Sequence, residues 1–289
     1  MSKEKKVKIP FGIADKNPYV GVILEILWAY LFTSVIGPMV ADIAVRIYER
    51  TTGNSFLNQE IVSAVVSIIV SIIFLCVHKK KIGKEFDGYF SDKNIKFGCL
   101  LMLVWVGYWV FNTIIVAIFS KIGLPQPEVY ILALQAGVVE ETIFRIVPIF
   151  FVMRHRENKK LVIYTFIVSS VLFGMVHIMN VTAGAPMDIT IFQVVAAGMM
   201  GLFMAACYLR TGNILFGIIP HFINDIVAGT DVGLVSDGLV MQEGLRLYNL
   251  IDLGMTIVIG IIGIYLIRSA KYDEIKTLWD DKFTETENN

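Results

Sequence analysis

Apolar runs of about 20 residues follow one another along almost the whole 289-residue chain, separated by short polar stretches. A helix rising 1.5 Å per residue needs about 20 residues to cross a ~30 Å hydrocarbon core. On that measure the pattern predicts eight membrane-spanning helices, near 20–47, 58–77, 97–120, 129–153, 161–180, 188–209, 214–230 and 249–268. Asn180, Gly184 and Pro186 blur the boundary after the fifth, and Thr211, Gly212 and Asn213 leave almost no loop after the sixth, so seven spans is the alternative count. Lysine and arginine gather on the cytoplasmic side of membrane proteins. With the N-terminus inside, twenty of them fall on the inner side and four, Arg46, Arg50, Lys121 and Arg246, on the outer. Both termini are therefore expected in the cytoplasm, a parity that eight spans satisfy and seven do not.

The organisation expected is a cytoplasmic segment over 1–18, an integral membrane domain over 19–270 and a cytoplasmic polar tail over 271–289, frayed from Asp280 onward. Composition sharpens the class: 56% of residues are apolar, 17% are charged and the mean hydropathy is +0.68, too apolar for a soluble domain with a polar shell. The fold class expected is all-α, a polytopic helical membrane protein of a cell membrane. A formal net charge of zero gives no basic footprint for nucleic acid. Polar and turn-forming residues separate the cationic start from the first apolar run, and no small-residue cleavage site follows it, so the first span reads as uncleaved. Cys76, Cys99 and Cys207 fall in apolar surroundings and imply no disulfide framework.

Against this background the polar residues inside the spans stand out. Glu140, Glu141 and Arg145 lie within six residues of the fourth apolar run. Each such charge costs roughly 2.5–3.5 kcal/mol on insertion scales unless it meets a partner or a wet cavity. Glu141 and Arg145 are four apart and share a helical face, while Glu140 points about 100° away with Gly137 and Phe144. The arginine can neutralise Glu141 and leave Glu140 for chemistry. Phe173 and His177 are also four apart, with Gly174 allowing close approach beside the imidazole. His221 and Asp225 repeat the spacing, and Asn224 borders their face. His78 and His155 adjoin cationic patches and read as solvated interfacial residues.

A carboxylate kept from water can accept a proton from a water molecule, an imidazole can relay it, and a second imidazole with a carboxamide or acid can stabilise an oxyanion. That is the equipment of a hydrolase. No serine or cysteine near either histidine has a nucleophile-elbow context, so attack by activated water is preferred to an acyl-enzyme. No cofactor or metal is expected; zinc held by Glu140, His177 and His221 is a minor alternative, lacking the His-Glu-x-x-His spacing. Two other readings stay open: the polar groups only hold helices together or recognise a partner, or they form a proton relay in a transporter. The absence of an internal repeat speaks against the transporter.

The pattern resembles the CAAX protease and bacteriocin-processing (CPBP, or Abi) intramembrane proteases, which include the Ras-converting endopeptidase. The Glu-Glu-x-x-x-Arg motif of that family matches Glu140 to Arg145, its Phe-x-x-x-His matches Phe173 to His177, and its His-x-x-x-Asn matches His221 to position 225, in the right order over 86 residues. The resemblance implies a protease core at about 129–230, with Glu140 and His177 activating water, His221 and the residue four further on forming the oxyanion hole, and Glu141, Arg145 and Phe173 in support. The departure is Asp225, where the family has asparagine; here Asn224 stands one residue earlier. An ionised aspartate repels an oxyanion, so the expectation is that Asp225 is protonated or orients His221, or that Asn224 supplies the donor. The resemblance further implies a peptide or protein substrate in or near the lipid bilayer and, from the chain's compactness, the bacterial branch: a plasma-membrane enzyme of peptide maturation, bacteriocin-related processing or self-immunity, with no prenylated substrate.

One difficulty accompanies this expectation. Counted from the span ends, Glu140 lies roughly 16 Å below the outer edge, His221 roughly 10 Å above the inner edge and His177 close to the outer edge. Tilted or broken helices are required to bring them level, and Pro220, Gly184 and Pro186 are the expected breaks.

Overall fold

The computed structural model describes residues 16–53, 58–82, 89–119, 125–230 and 240–284. Among these residues every regular element is helical, as the apolar pattern predicts. Helix α1 is Pro18–Thr52, interrupted by a π-helical turn at Leu31–Ile36, and is followed by α2 (Gln59–Ile82) and α3 (Ile95–Phe119). Helix α4 (Pro127–Glu141) passes through a second π-helical turn, Thr142–Ile146, into α5 (Val147–Met153). Then come α6 (Lys159–Val176) with a 3-10 turn at His177–Val181, α7 (Met187–Thr211), α8 (Leu215–Thr230), α9 (Val240–Leu266) and α10 (Tyr272–Thr284).

Each of the eight predicted runs coincides with helix. Among the described residues five helices are long and apolar enough to cross a bilayer: α1, α2, α3, α6 extended to Val181, and α7; α9 with the segment after it, bent by 55°, makes a sixth. Helix α4 carries Glu128, Glu140 and Glu141, the turn that joins it to α5 carries Arg145, and α8 has only 16 residues. These depend on neighbouring helices, rather than on lipid, for their place.

The central helix is α7, and glycines on its neighbours let them approach it closely. A Cβ added at Gly174 of α6 would lie 2.4 Å from the Val194 carbonyl oxygen, and one at Gly263 of α9 would lie 2.8 Å from the Phe203 backbone. Without a hydrophobic drive between helices in lipid, such close backbone contact supplies the packing energy. The missing loop between α7 and α8 also has a local cause. Gly212, at φ 63°, ends α7 in the left-handed conformation, and the Asn213 side chain accepts from the Leu215 amide to start α8.

Two expectations are corrected here. The tail expected to fray from Asp280 is helical to Thr284, because Ile275, Leu278 and Trp279 form one apolar face, buried in the main core. Trp279 Nε1 donates to the Leu209 carbonyl at 3.0 Å, and the buried Lys282 ammonium donates to the carbonyls of Gly212 (2.9 Å) and Phe90 (3.1 Å). Residues 285–289 of that tail, and 1–15 of the N-terminal segment, lie outside the described residues. His78, expected in solvent, is buried: its Nε2 is 3.3 Å from Glu25 of α1 and its Nδ1 is 3.4 Å from the Tyr89 hydroxyl. Its neighbours on α2 are cationic, but its own face turns to a carboxylate that also needs a partner away from water. His155 is half-buried, with its ring edge on Phe151.

Candidate active site

The site begins with a buried ion pair. Glu141 closes α4 and Arg145 lies in the π-helical turn that follows; both side chains are fully buried, and Nη1 of the arginine donates to Glu141 Oε1 at 2.8 Å. The guanidinium also lies 3.9 Å from the centroid of the Phe173 ring on α6. Two glycines make room for the pair. A Cβ at Gly201 of α7 would come 2.9 Å from Arg145 Nη2, and one at Gly217 of α8 would come 2.7 Å from Glu141 Oε2.

His221 of α8 joins the pair from outside α4. Its Nδ1 lies 3.0 Å from the same Glu141 oxygen that accepts from Arg145. An arginine-bound carboxylate accepts, so Nδ1 carries a proton and Nε2 is turned the other way. There Nε2 lies 3.6 Å from Glu140 Oε2 and 3.7 Å from Asp225 Oδ2. Glu140 and Asp225 are each 30% exposed, whereas Glu141 is sealed. The paired glutamates thus divide into one that holds the imidazole and one that remains reachable.

His177 caps the end of α6. Its Nδ1 donates to the Phe173 carbonyl at 2.9 Å, which leaves Nε2 as the acceptor. Phe173 stands between the two histidines, its ring centroid 5.3 Å from His177 and 5.6 Å from His221, edge-on to both. A cavity of about 360 Å³ opens here, lined by Phe173, His177, His221, Asn224 and Asp225 on this side. That size is in the range of a small-ligand pocket.

Every residue singled out from the sequence therefore belongs to one cluster, but the pairings differ from expectation. Among the described residues the imidazole within 4.0 Å of Glu140 is that of His221, not of His177. Glu141, rather than Asp225, sets the tautomer of His221, because Asp225 lies on the Nε2 side. Pro220 does not break α8, which runs through it; the irregular turns are at Thr142–Ile146 and His177–Val181. Counted from the hairpin between α5 and α6, Glu140 and His177 stand roughly 20 and 28 Å along their helices, a gap that modest tilt closes. Among the described residues no group of three His, Cys, Asp or Glu side chains is disposed to hold a metal ion, the alternative set Glu140, His177 and His221 included.

The cavity also has walls that sequence reading passed over. Met200 and Met204 of α7 line it. So do Tyr108 and Asn112 of α3 and Asp252 of α9, joined by hydrogen bonds from Tyr108 Oη (2.7 Å) and Asn112 Nδ2 (3.0 Å) to Asp252 Oδ1. A polar signal was present in Asp252, an ionisable residue inside an apolar run.

Residues 124–227 of the chain match the family model described as type II CAAX prenyl endopeptidase Rce1-like. No curated protein and no solved structure matches the chain. The matched segment contains the whole Glu140 to Asp225 cluster and none of α3, α9 or α10.

Proposed function

We propose that this membrane protein hydrolyses a peptide bond of a membrane-associated peptide or protein, with Glu140 as the base that activates water; the match of residues 124–227 to the Rce1-like CAAX prenyl endopeptidase model supports that reaction class. The observation that carries the reading is a reachable carboxylate 3.6 Å from an imidazole whose far nitrogen is held by a sealed carboxylate–arginine pair. Water bound at Glu140 gives up a proton as its oxygen attacks the substrate carbonyl carbon. The proton passes through Glu140 and His221 to the departing amine as the carbon–nitrogen bond breaks. His177, with Nε2 unprotonated, orients the water by accepting its second hydrogen. Asn224 serves as oxyanion donor in place of the family's asparagine, since it is a lining residue of the cavity whose amide, hydrogen-bonded to Asp225, has a second N–H to give, and Asp225 as a carboxylate has nothing to donate.

The fixed arrangement of Glu141 and Arg145 spares the reaction the work of orienting His221. The setting proposed is the bacterial plasma membrane, and the role is maturation or immunity-related processing of a peptide. Replacing Glu140 by alanine lowers cleavage by about 10²–10⁴-fold, the span of general-base effects. Mass spectrometry of membrane peptides from cells carrying native Glu140 or Glu140→Ala, at matched protein levels, is the test. Identical peptide sets would overturn the proposal.

A further inference from the structure

The Tyr108–Asn112–Asp252 cluster belongs to the cavity but has no part in the chemistry proposed above. Tyr108 and Asn112 are four apart on α3 and both are buried. Their donors converge on one oxygen of Asp252, and Asn112 Nδ2 also reaches Tyr108 Oη at 3.2 Å. This fixes the carboxyl group. Its second oxygen makes no hydrogen bond, and the group makes no ion pair, among the described residues.

A purely structural link between α3 and α9 needs only a neutral amide in that place. A carboxylate within an apolar helix costs roughly 2.5–3.5 kcal/mol on insertion scales without a partner of opposite charge. Glu141, by contrast, has Arg145 for such a partner. The described cavity lining includes Asp225 and Asp252 but no lysine or arginine. A carboxylate-bearing C-terminus therefore meets no lysine or arginine among the described lining residues, whereas a cation meets the Asp252 carboxyl group. Phe192, Met200 and Met204 supply apolar wall for the stem of a long basic side chain.

We propose that Asp252, held by Tyr108 and Asn112, is a specificity subsite that takes the ammonium or guanidinium of a lysine or arginine in the substrate, near the bond to be cut. The subsite rests on the proteolytic reading for its purpose, but its binding is testable without turnover. The probes are two 20-residue apolar peptides, identical except for one central lysine or norleucine, bound to the full chain carrying Glu140→Ala in proteoliposomes. The lysine peptide is expected to bind about tenfold more tightly, roughly one well-placed charge pair, and adding Asp252→Asn removes that ratio. Equal binding of the two peptides, or a ratio that survives Asp252→Asn, overturns the subsite. Should Asp252→Asn fail to fold, Tyr108→Phe keeps the charge and removes one of its anchors. The ratio should then fall at least about threefold, and an unchanged ratio counts against the subsite. The comparison of membrane peptides with and without Glu140 decides proteolysis separately, so loss of one conclusion is not loss of the other.

Discussion

Glu25–His78 and Glu141–His221 are both buried carboxylate–imidazole pairs, and they differ in access. Glu25 and His78 join α1 to α2 at 3.3 Å, with side chains 2% and 4% exposed. Phe74 stacks on the His78 ring at 5.8 Å and Phe150 meets it edge-on at 5.5 Å. Glu141 and His221 join α4 to α8 at 3.0 Å and are just as buried. Beyond His221, however, stand two carboxylates 30% exposed, Glu140 and Asp225, and Asp225 lines a cavity of about 360 Å³. The same two residue types act as a sealed rivet in one place and as the support of a reachable site in the other. An ionisable group in a membrane helix marks chemistry when a substrate can reach its neighbours.

The largest contrast comes from replacing each pair with apolar residues. Glu141→Leu with His221→Phe should lower peptide cleavage by about 10²-fold or more, since proton relay is lost. Glu25→Leu with His78→Phe should leave cleavage within about twofold and change stability by about 1 kcal/mol or less, because apolar isosteres of a buried pair are often neutral or stabilising. The membrane-peptide comparison and thermal unfolding in micelles measure both. Equal losses of cleavage would erase the distinction between rivet and site.

A smaller effect, on stability, sharpens the role of the ion pair. Arg145→Met leaves Glu141 as a buried charge whose remaining polar partner among the described residues is His221. Breaking one partner from such a pair costs about 3–5 kcal/mol, visible as a lower unfolding temperature. Unfolding at the native temperature would show that the arginine does not anchor the site.

Smaller still is the effect of crowding α6 against α7. Gly174→Ala places a methyl group 2.4 Å from the Val194 carbonyl oxygen, so the helices must separate. Such overpacking costs about 1–3 kcal/mol, and cleavage should fall further than stability alone explains because His177 ends the same helix. A Gly174→Ala chain with native cleavage would mean that the position of His177 tolerates movement.

The outline of the fold and the membership of the site were legible in the chain itself. Hydropathy depends only on residue type and run length, so the apolar segments from Pro18 to Leu266 could be read directly, and each holds helix. The charges in apolar runs pointed to Glu140, His177, His221 and Asp225 for the same reason: placing a charge or an imidazole in hydrocarbon is costly wherever the chain goes. Local spacing also disclosed the pair four apart, Glu141 with Arg145. It could not disclose the link from His221 to Glu141, 80 residues away, or from Asp252 to Tyr108, 144 residues away.

Those pairings, with the docking of α10 through Trp279 and the burial of His78, were decided by tertiary structure alone. Which face of a helix meets which neighbour depends on rotation, tilt and the close approaches allowed at Gly174, Gly201 and Gly217. A linear pattern specifies that a buried charge needs a partner; only packing in three dimensions selects the partner and leaves another carboxylate open to the cavity.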